Sequence, residues 1–112
     1  RRRGANSAAQ RRLQEATAAI GEGEALFFAT LQTALVGFVA DQVNEPAPGL
    51  DRARCQSVLA ERGVPEMTIR QFDGLLKICH EGRFAPSEVS AARRQQVLAD
   101  SETVLHELRD AT

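Results

Sequence analysis

Tryptophan and tyrosine are missing from this chain, and five phenylalanines are its only aromatic residues. The core must therefore be assembled from Leu, Val, Ala and Phe. No charge of one sign dominates: Arg and Lys are scattered among Asp and Glu, and the net charge is −1. That balance argues against broad electrostatic binding to nucleic acid, which needs several phosphate-neutralising side chains on one surface. No uninterrupted apolar run of about eighteen residues or more occurs, the length a spanning helix requires. The longest apolar-rich window, Ala25 to Ala40, is interrupted by Thr30, Gln32 and Thr33 and ends at Asp41. It is too short and too polar to span, and it reads as a buried helix. No secretory signal is visible. The two cysteines give neither a metal-ligand spacing nor an obligatory disulfide framework, so a reducing, cytosolic setting is expected.

What is present is the composition of an ordinary globular protein, 43% hydrophobic and 26% charged. A chain of 112 residues is one domain's worth. It buries roughly two-thirds of its extended surface on folding. Strand signals are absent, because no stretch combines period-two alternation with β-branched residues. Helical periodicity recurs instead, and five helices are predicted, over 7–20, 24–43, 52–62, 65–81 and 88–109.

The first helix puts Ala9, Leu13, Ala16 and Ile20 on one face, with Ser7 as its N-cap. Gly21-Glu22-Gly23 breaks the chain, and the second helix carries Phe28, Leu31, Leu35 and Phe38 as a stripe. Phe27, Val36, Val39 and Val43 widen that stripe, so this helix is expected at the centre, touched from more than one side. Asn44 to Gly49 form a Pro-containing loop. Asp51 then caps a short helix that buries Cys55, Val58 and Leu59, and Gly63 closes it. Pro65 suits the first position of the fourth helix. Its buried face is Ile69, Phe72, Leu76 and Cys79, with Leu75 beside them. Gly74 is the exception in its middle, worth about 1 kcal/mol less than Ala there, and is expected to let a neighbouring helix come close. Gly82 is expected to stop this helix, Arg83-Phe84-Ala85-Pro86 to run extended, and Ser87 to cap the last helix. That helix presents Val97, Ser101, Val104 or Leu105, and Leu108. The fold class is all-α, a compact five-helix bundle opening with an antiparallel hairpin. The hairpin is of tetratricopeptide type, but the roughly 34-residue period of a repeat array does not recur.

Residues 1–6 form a basic tail ahead of a single helical domain over 7–112. Arg1-Arg2-Arg3, with Arg11 and Arg12 behind, has three readings: a disordered tail, the cytoplasmic flank of a membrane helix, or a nucleic-acid arm. The absence of an initiating Met suggests a piece of a longer protein.

Candidate chemistry is sparse. Cys79 and His80 are adjacent, which has the look of a nucleophile and its base. Neighbours on a helix point about 100° apart, so they do not face each other. Cys79 on an apolar stripe reads as a core residue and His80 as a surface one. Cys55, Cys79, His80 and His106 show no metal-ligand spacing, and neither a Gly-rich phosphate loop nor Gly-x-Ser-x-Gly occurs. No catalytic residue, cofactor or metal is therefore assigned, and the chain is not expected to be an enzyme. The short Gly-containing turn between the third and fourth helices would suit a DNA-binding helix-turn-helix. Of the candidate recognition residues only Arg70 and Gln71 fit, and Asp73 would meet the phosphates.

The order of motifs resembles the cytoplasmic C-terminal region of the BatD, or oxygen-tolerance, family of bacterial membrane proteins. The resemblance rests on Phe27-Phe28-x-x-Leu31-x-x-Ala34-Leu35-x-x-Phe38-Val39-x-Asp41, then Leu59-x-x-Arg62-Gly63-Val64, Leu75-Leu76-x-x-Cys79 and Arg83-Phe84-Ala85-Pro86. His80 departs from the Glu common in such proteins, and Gly82 from a small Ala. The resemblance implies a domain held at the cytoplasmic face of the inner membrane by a transmembrane helix outside this fragment. Its implied partners are a MoxR-type ATPase or von Willebrand A-type proteins, and no nucleic acid. Arg83, Phe84 and Pro86 form a candidate docking lip, with Phe84 as a plug for the bundle as the competing reading. A thiol redox sensor and a helix-turn-helix DNA binder are the alternatives.

Overall fold

The computed structural model describes residues 2–19, 23–84 and 91–111, with side chains over 8–19, 25–82 and 92–111. Within them lie α1 (Arg2–Ala18), α2 (Glu24–Val43), a 3₁₀ turn (Ala47–Gly49), α3 (Arg52–Glu61), α4 (Glu66–Phe84) and α5 (Ala91–Ala111). No strand occurs among the described residues. The all-α, five-helix bundle expected from periodicity is the observed architecture.

Helix α2 is its centre and touches each of the other four α-helices. Phe27, Phe28, Leu31, Ala34, Leu35, Phe38 and Val39 are all buried on it. The alternation of stripe and flank residues explains this, since apolar side chains cover most of the helix circumference. Burying each Phe contributes roughly 1.5–3 kcal/mol, so Phe27, Phe28, Phe38 and the facing Phe72 of α4 dominate the core. Helix α5 closes the bundle with Val97, Val104, Leu105 and Leu108, so both alternatives at 104 and 105 are core. Ser101, fully buried among them, donates its hydroxyl to the Val97 carbonyl at 2.8 Å and so is itself paired. The Cα radius of gyration is 13.1 Å, matching the roughly 13 Å of a single compact domain this long.

The apolar window of α2 corrects one expectation. Ala25–Val43 is long and apolar enough to cross a membrane by length and composition, because the helix continues through Asp41 to Val43. Its most apolar window is 56% buried inside the bundle.

Element ends follow local chemistry. Asn44 ends α2 in the left-handed conformation (φ 60°), and the Asn44 and Glu45 N–H groups both reach the Ala40 carbonyl. Asp51 caps α3 as expected, its carboxylate accepting from the Arg54 N–H at 2.8 Å. Gly63 (φ 81°) ends α3 in a Schellman turn. The Val64 N–H bonds the Leu59 carbonyl, the Gly63 N–H bonds that of Ala60, and buried Val64 and Leu59 complete the motif.

Two boundaries differ from expectation by three residues or more. Helix α1 already runs at Arg2, so Ser7 lies inside it and not at its cap; once nucleated, a helix extends at one hydrogen bond per residue, here through Arg2, Arg3 and Ala5 and in spite of the weaker formers Gly4 and Asn6. Helix α4 passes through Gly82 to Phe84. Gly82 lacks the positive φ that a glycine stop requires, and Arg83 and Phe84 are helical, not extended. Ile20, Ser87 and the start of the last helix at 88–90 lie outside the described residues.

Glycine 82 has a different use. It is buried, and a Cβ built on it would clash with the Cγ–Cδ2–Cε2 edge of the Phe28 ring. The missing side chain lets α4 lie directly on that ring, which stands edge-on to Phe27 at 5.1 Å between centroids. Gly74 is the opposite case. A Cβ there would meet nothing within 4 Å among the described residues, so no neighbouring helix is in close contact with it.

Candidate functional site

The cysteine of the α4 stripe is sealed. Cys79 has no exposed surface, and burial pushes its thiol up to about 12. Cys55 on α3 is equally enclosed and is pushed up to about 11, first by burial and then by the charges of Asp51 and Asp73. Its Sγ lies 3.9 Å from the Leu50 carbonyl, a long contact. Both thiols are free. His80 is exposed while its neighbour Cys79 is core, so the two side chains leave α4 in different directions. A nucleophilic thiol needs an electropositive, partly exposed setting, and neither cysteine has one.

Among the described residues, no group of three or more His, Cys, Asp and Glu side chains is placed to hold a metal ion. His106 instead faces Arg109 (Nδ1 to Nη2, 2.6 Å) and Asp110 (3.5 Å) on the surface of α5.

Charged residues act as struts between elements. Arg12 on α1 pairs with Asp41 on α2 at 3.1 Å, its guanidinium lying where a side chain on Gly37 would stand. Arg54 on α3 holds Glu45 after α2. Arg52 on α3 grips Asp73 on α4 with two parallel bonds of 2.8 Å. Hydrogen bonding from Arg52 holds the Asp73 carboxyl below the usual range, against an opposing but smaller effect of burial. A carboxylate so depressed stabilises the fold above its unfolded pKa and loses that contribution as pH falls through the folded value. The pair is partly solvated, so its worth is at most about 1 kcal/mol. Asp73→Asn should therefore flatten the acid limb of urea-unfolding stability between about pH 5 and 2, while leaving Cys55 and Cys79 buried.

The remaining openings are surface clefts. One of about 420 Å³ lies between α4 and α5, floored by Leu75, Ile78 and Val104 and rimmed by Asp100 and Glu107. Two more, of about 500 and 400 Å³, flank Gln32, Val36 and Leu50 on α2 and the following loop. The Gln32 Oε1 between them is buried with no hydrogen-bond partner among the described residues. His80 lines the smaller of this pair, beside Arg52 and Asp51.

Of the candidate docking lip, Arg83 and Phe84 form the last turn of α4, and their side chains and the whole of Pro86 lie outside the described residues. Neither the lip nor the Phe84 plug is thus given a geometry. Sequence reasoning missed the α4–α5 cleft, although mid-helix Gly74 was a signal for it. The Arg52–Asp73 grip joins two separate helices and leaves no periodic trace. No family model, curated protein or solved structure matches the chain.

Proposed function

We propose that this chain is a non-enzymatic protein-interaction domain of the BatD kind. In this reading it is anchored by a transmembrane helix outside the fragment, at the cytoplasmic side of the inner membrane. There it works with a MoxR-type ATPase or von Willebrand A-type proteins in stress or oxygen tolerance. The observation that carries the reading is where the motif residues go. Phe28 lies against Gly82, Asp41 braces Arg12, and Cys79 and Leu76 fill the core, so the motifs build a scaffold. What such a scaffold offers outward is surface relief between helices, and relief of that kind suits recognition of another protein.

A thiol sensor is disfavoured by the burial and raised pKa of both cysteines. Helix-turn-helix binding is disfavoured because Arg70, one of two suitable recognition residues, sits 3.6 Å from Glu66, and because Asp73 lies on the same helix.

The test is direct binding of the full chain to purified MoxR-type and von Willebrand A-type proteins encoded beside its gene, measured by biolayer interferometry. Saturable binding to one of them is expected, and none to duplex DNA at low salt. Failure to bind any of these proteins overturns the proposal. Unchanged binding by a folded Phe84→Ala variant removes the lip of Arg83, Phe84 and Pro86 from it.

A further inference from the structure

We propose that the α4–α5 groove is the docking site for an amphipathic helix of a protein partner, one carrying Lys or Arg along the flank that lies against α5. The proposal rests on the interaction reading above and gives that reading a surface.

The groove has an apolar floor of Leu75, Ile78 and Val104. Gly74 stands at its edge, where an added Cβ would meet nothing within 4 Å. A glycine in the middle of a helix weakens that helix, and nothing among the described residues fills the space it leaves. Met67, 67% exposed, continues the line of Gln71, Gly74 and Ile78 at helical spacing. The stripe from Met67 to Ile78 is roughly 16 Å long at about 1.5 Å per residue, room for three turns of a partner helix.

The chemistry selects that occupant over others. Both walls are helices whose backbone N–H and C=O groups are already bonded within them, so an extended peptide would find no strand edge to pair with. A third helix needs no backbone partners and sets its ridge of side chains into the seam between two others. The rim on the α5 side is acidic: Asp100, which accepts from the Gln96 amide at 2.9 Å, and Glu107 both line it. The outer flank of α4 is mixed in sign: exposed Arg70 pairs with Glu66 at 3.6 Å, and Lys77 and Glu81 are both exposed one turn apart. A helix with basic residues toward α5 complements the acidic wall, while the mixed α4 flank selects neither sign. A second copy of this chain fits poorly. Leu26 and Met67 are the only large hydrophobics exposed among the described residues, so a copy has no apolar ridge to insert.

Two synthetic helical peptides test this on the full chain by amide-resolved NMR titration. Both carry Leu at every third or fourth position, one with Lys and the other with Glu along a single flank. The Lys-flanked peptide is expected to bind saturably and to shift Gly74, Ile78, Thr103 and Val104. Gly74→Leu fills the seam and is expected to weaken binding at least tenfold, while remaining folded because Leu favours helix over Gly and the site is open. Asp100→Asn combined with Glu107→Gln is expected to weaken it at least threefold and to reduce its salt dependence. No saturable binding, shifts centred elsewhere, equal binding of the Glu-flanked peptide, or indifference to Gly74→Leu each overturns the proposal. So does self-association in sedimentation that Gly74→Leu abolishes, which would make a second copy the occupant. The two readings fail separately. ATPase or von Willebrand A-type binding that survives Gly74→Leu removes the groove and leaves the interaction domain, whereas loss of all partner binding by the unaltered chain removes the interaction domain itself.

Discussion

Gly82→Ala is expected to destabilise the domain, and Gly74→Ala, the same substitution eight positions earlier on the same helix, to stabilise it. By intrinsic propensity both should gain about 1 kcal/mol, since Ala is the better helix former. At Gly74 nothing opposes the gain, because the new methyl group meets open space. At Gly82 the methyl group would clash with the ring edge of Phe28, a fully buried side chain held edge-on by Phe27. Aromatic rings yield only by leaving their rotamer or by pushing α2 and α4 apart, and overpacking of this sort costs about 1–3 kcal/mol, occasionally more. The expected net result is a lower urea midpoint for Gly82→Ala and a higher one for Gly74→Ala, each with an unchanged slope. Phe28→Leu should absorb most of the Gly82→Ala penalty, giving a coupling energy in the double-mutant cycle that distant pairs do not show. Equal and additive effects at the two glycines would mean that the Phe28–Gly82 contact is not what holds α4 against α2.

Those glycines also mark where the sequence could and could not be read. Periodicity found the buried faces of α2, α3, α4 and α5 because helix geometry repeats every 3.6 residues whatever the neighbours are. Asp51 and Gly63 were legible because caps are local events, completed within a few residues. Gly82 was misread as a stop because glycine serves two ends: positive φ at a terminus, or a missing Cβ where something must come close. Only the position of Phe28, far away in sequence, decides between them. The same limit applies to Gly74, whose anticipated close approach is absent among the described residues, and to Arg52 and Asp73, which meet only once α3 has folded back on α4. The resemblance quoted for Phe27 to Pro86 is made of packing residues, and packing motifs identify a scaffold more readily than the surface it presents. For that reason the groove between Leu75, Ile78 and Val104 exists only in the folded chain and has no trace in the periodic pattern.

Both cysteines are expected to be inert toward Ellman's reagent in the native domain and to react together once it is unfolded. The attacking species is the thiolate. Raising a thiol from its ordinary value of 9.0 to about 12, as burial does to Cys79, cuts the thiolate fraction near neutral pH by roughly a thousandfold, since each pKa unit is a factor of ten. The reagent is also excluded, because neither Cys79 nor Cys55 has exposed surface. Reaction then proceeds only through opening, and the native rate should fall at least about 10³-fold below that of the denatured chain. The same shift has a thermodynamic side. The unfolded thiols ionise above about pH 9 while the buried ones stay protonated, so stability should decline as pH rises from about 9 toward 12. Cys79→Ala should lose part of that alkaline slope while paying for a small cavity across the whole pH range. A native-state thiol that reacts at the rate of an unhindered cysteine would revive the redox-sensor reading. Two silent thiols place Cys79 where the stripe of Ile69, Phe72 and Leu76 puts it, inside the wall that supports the groove and outside its chemistry.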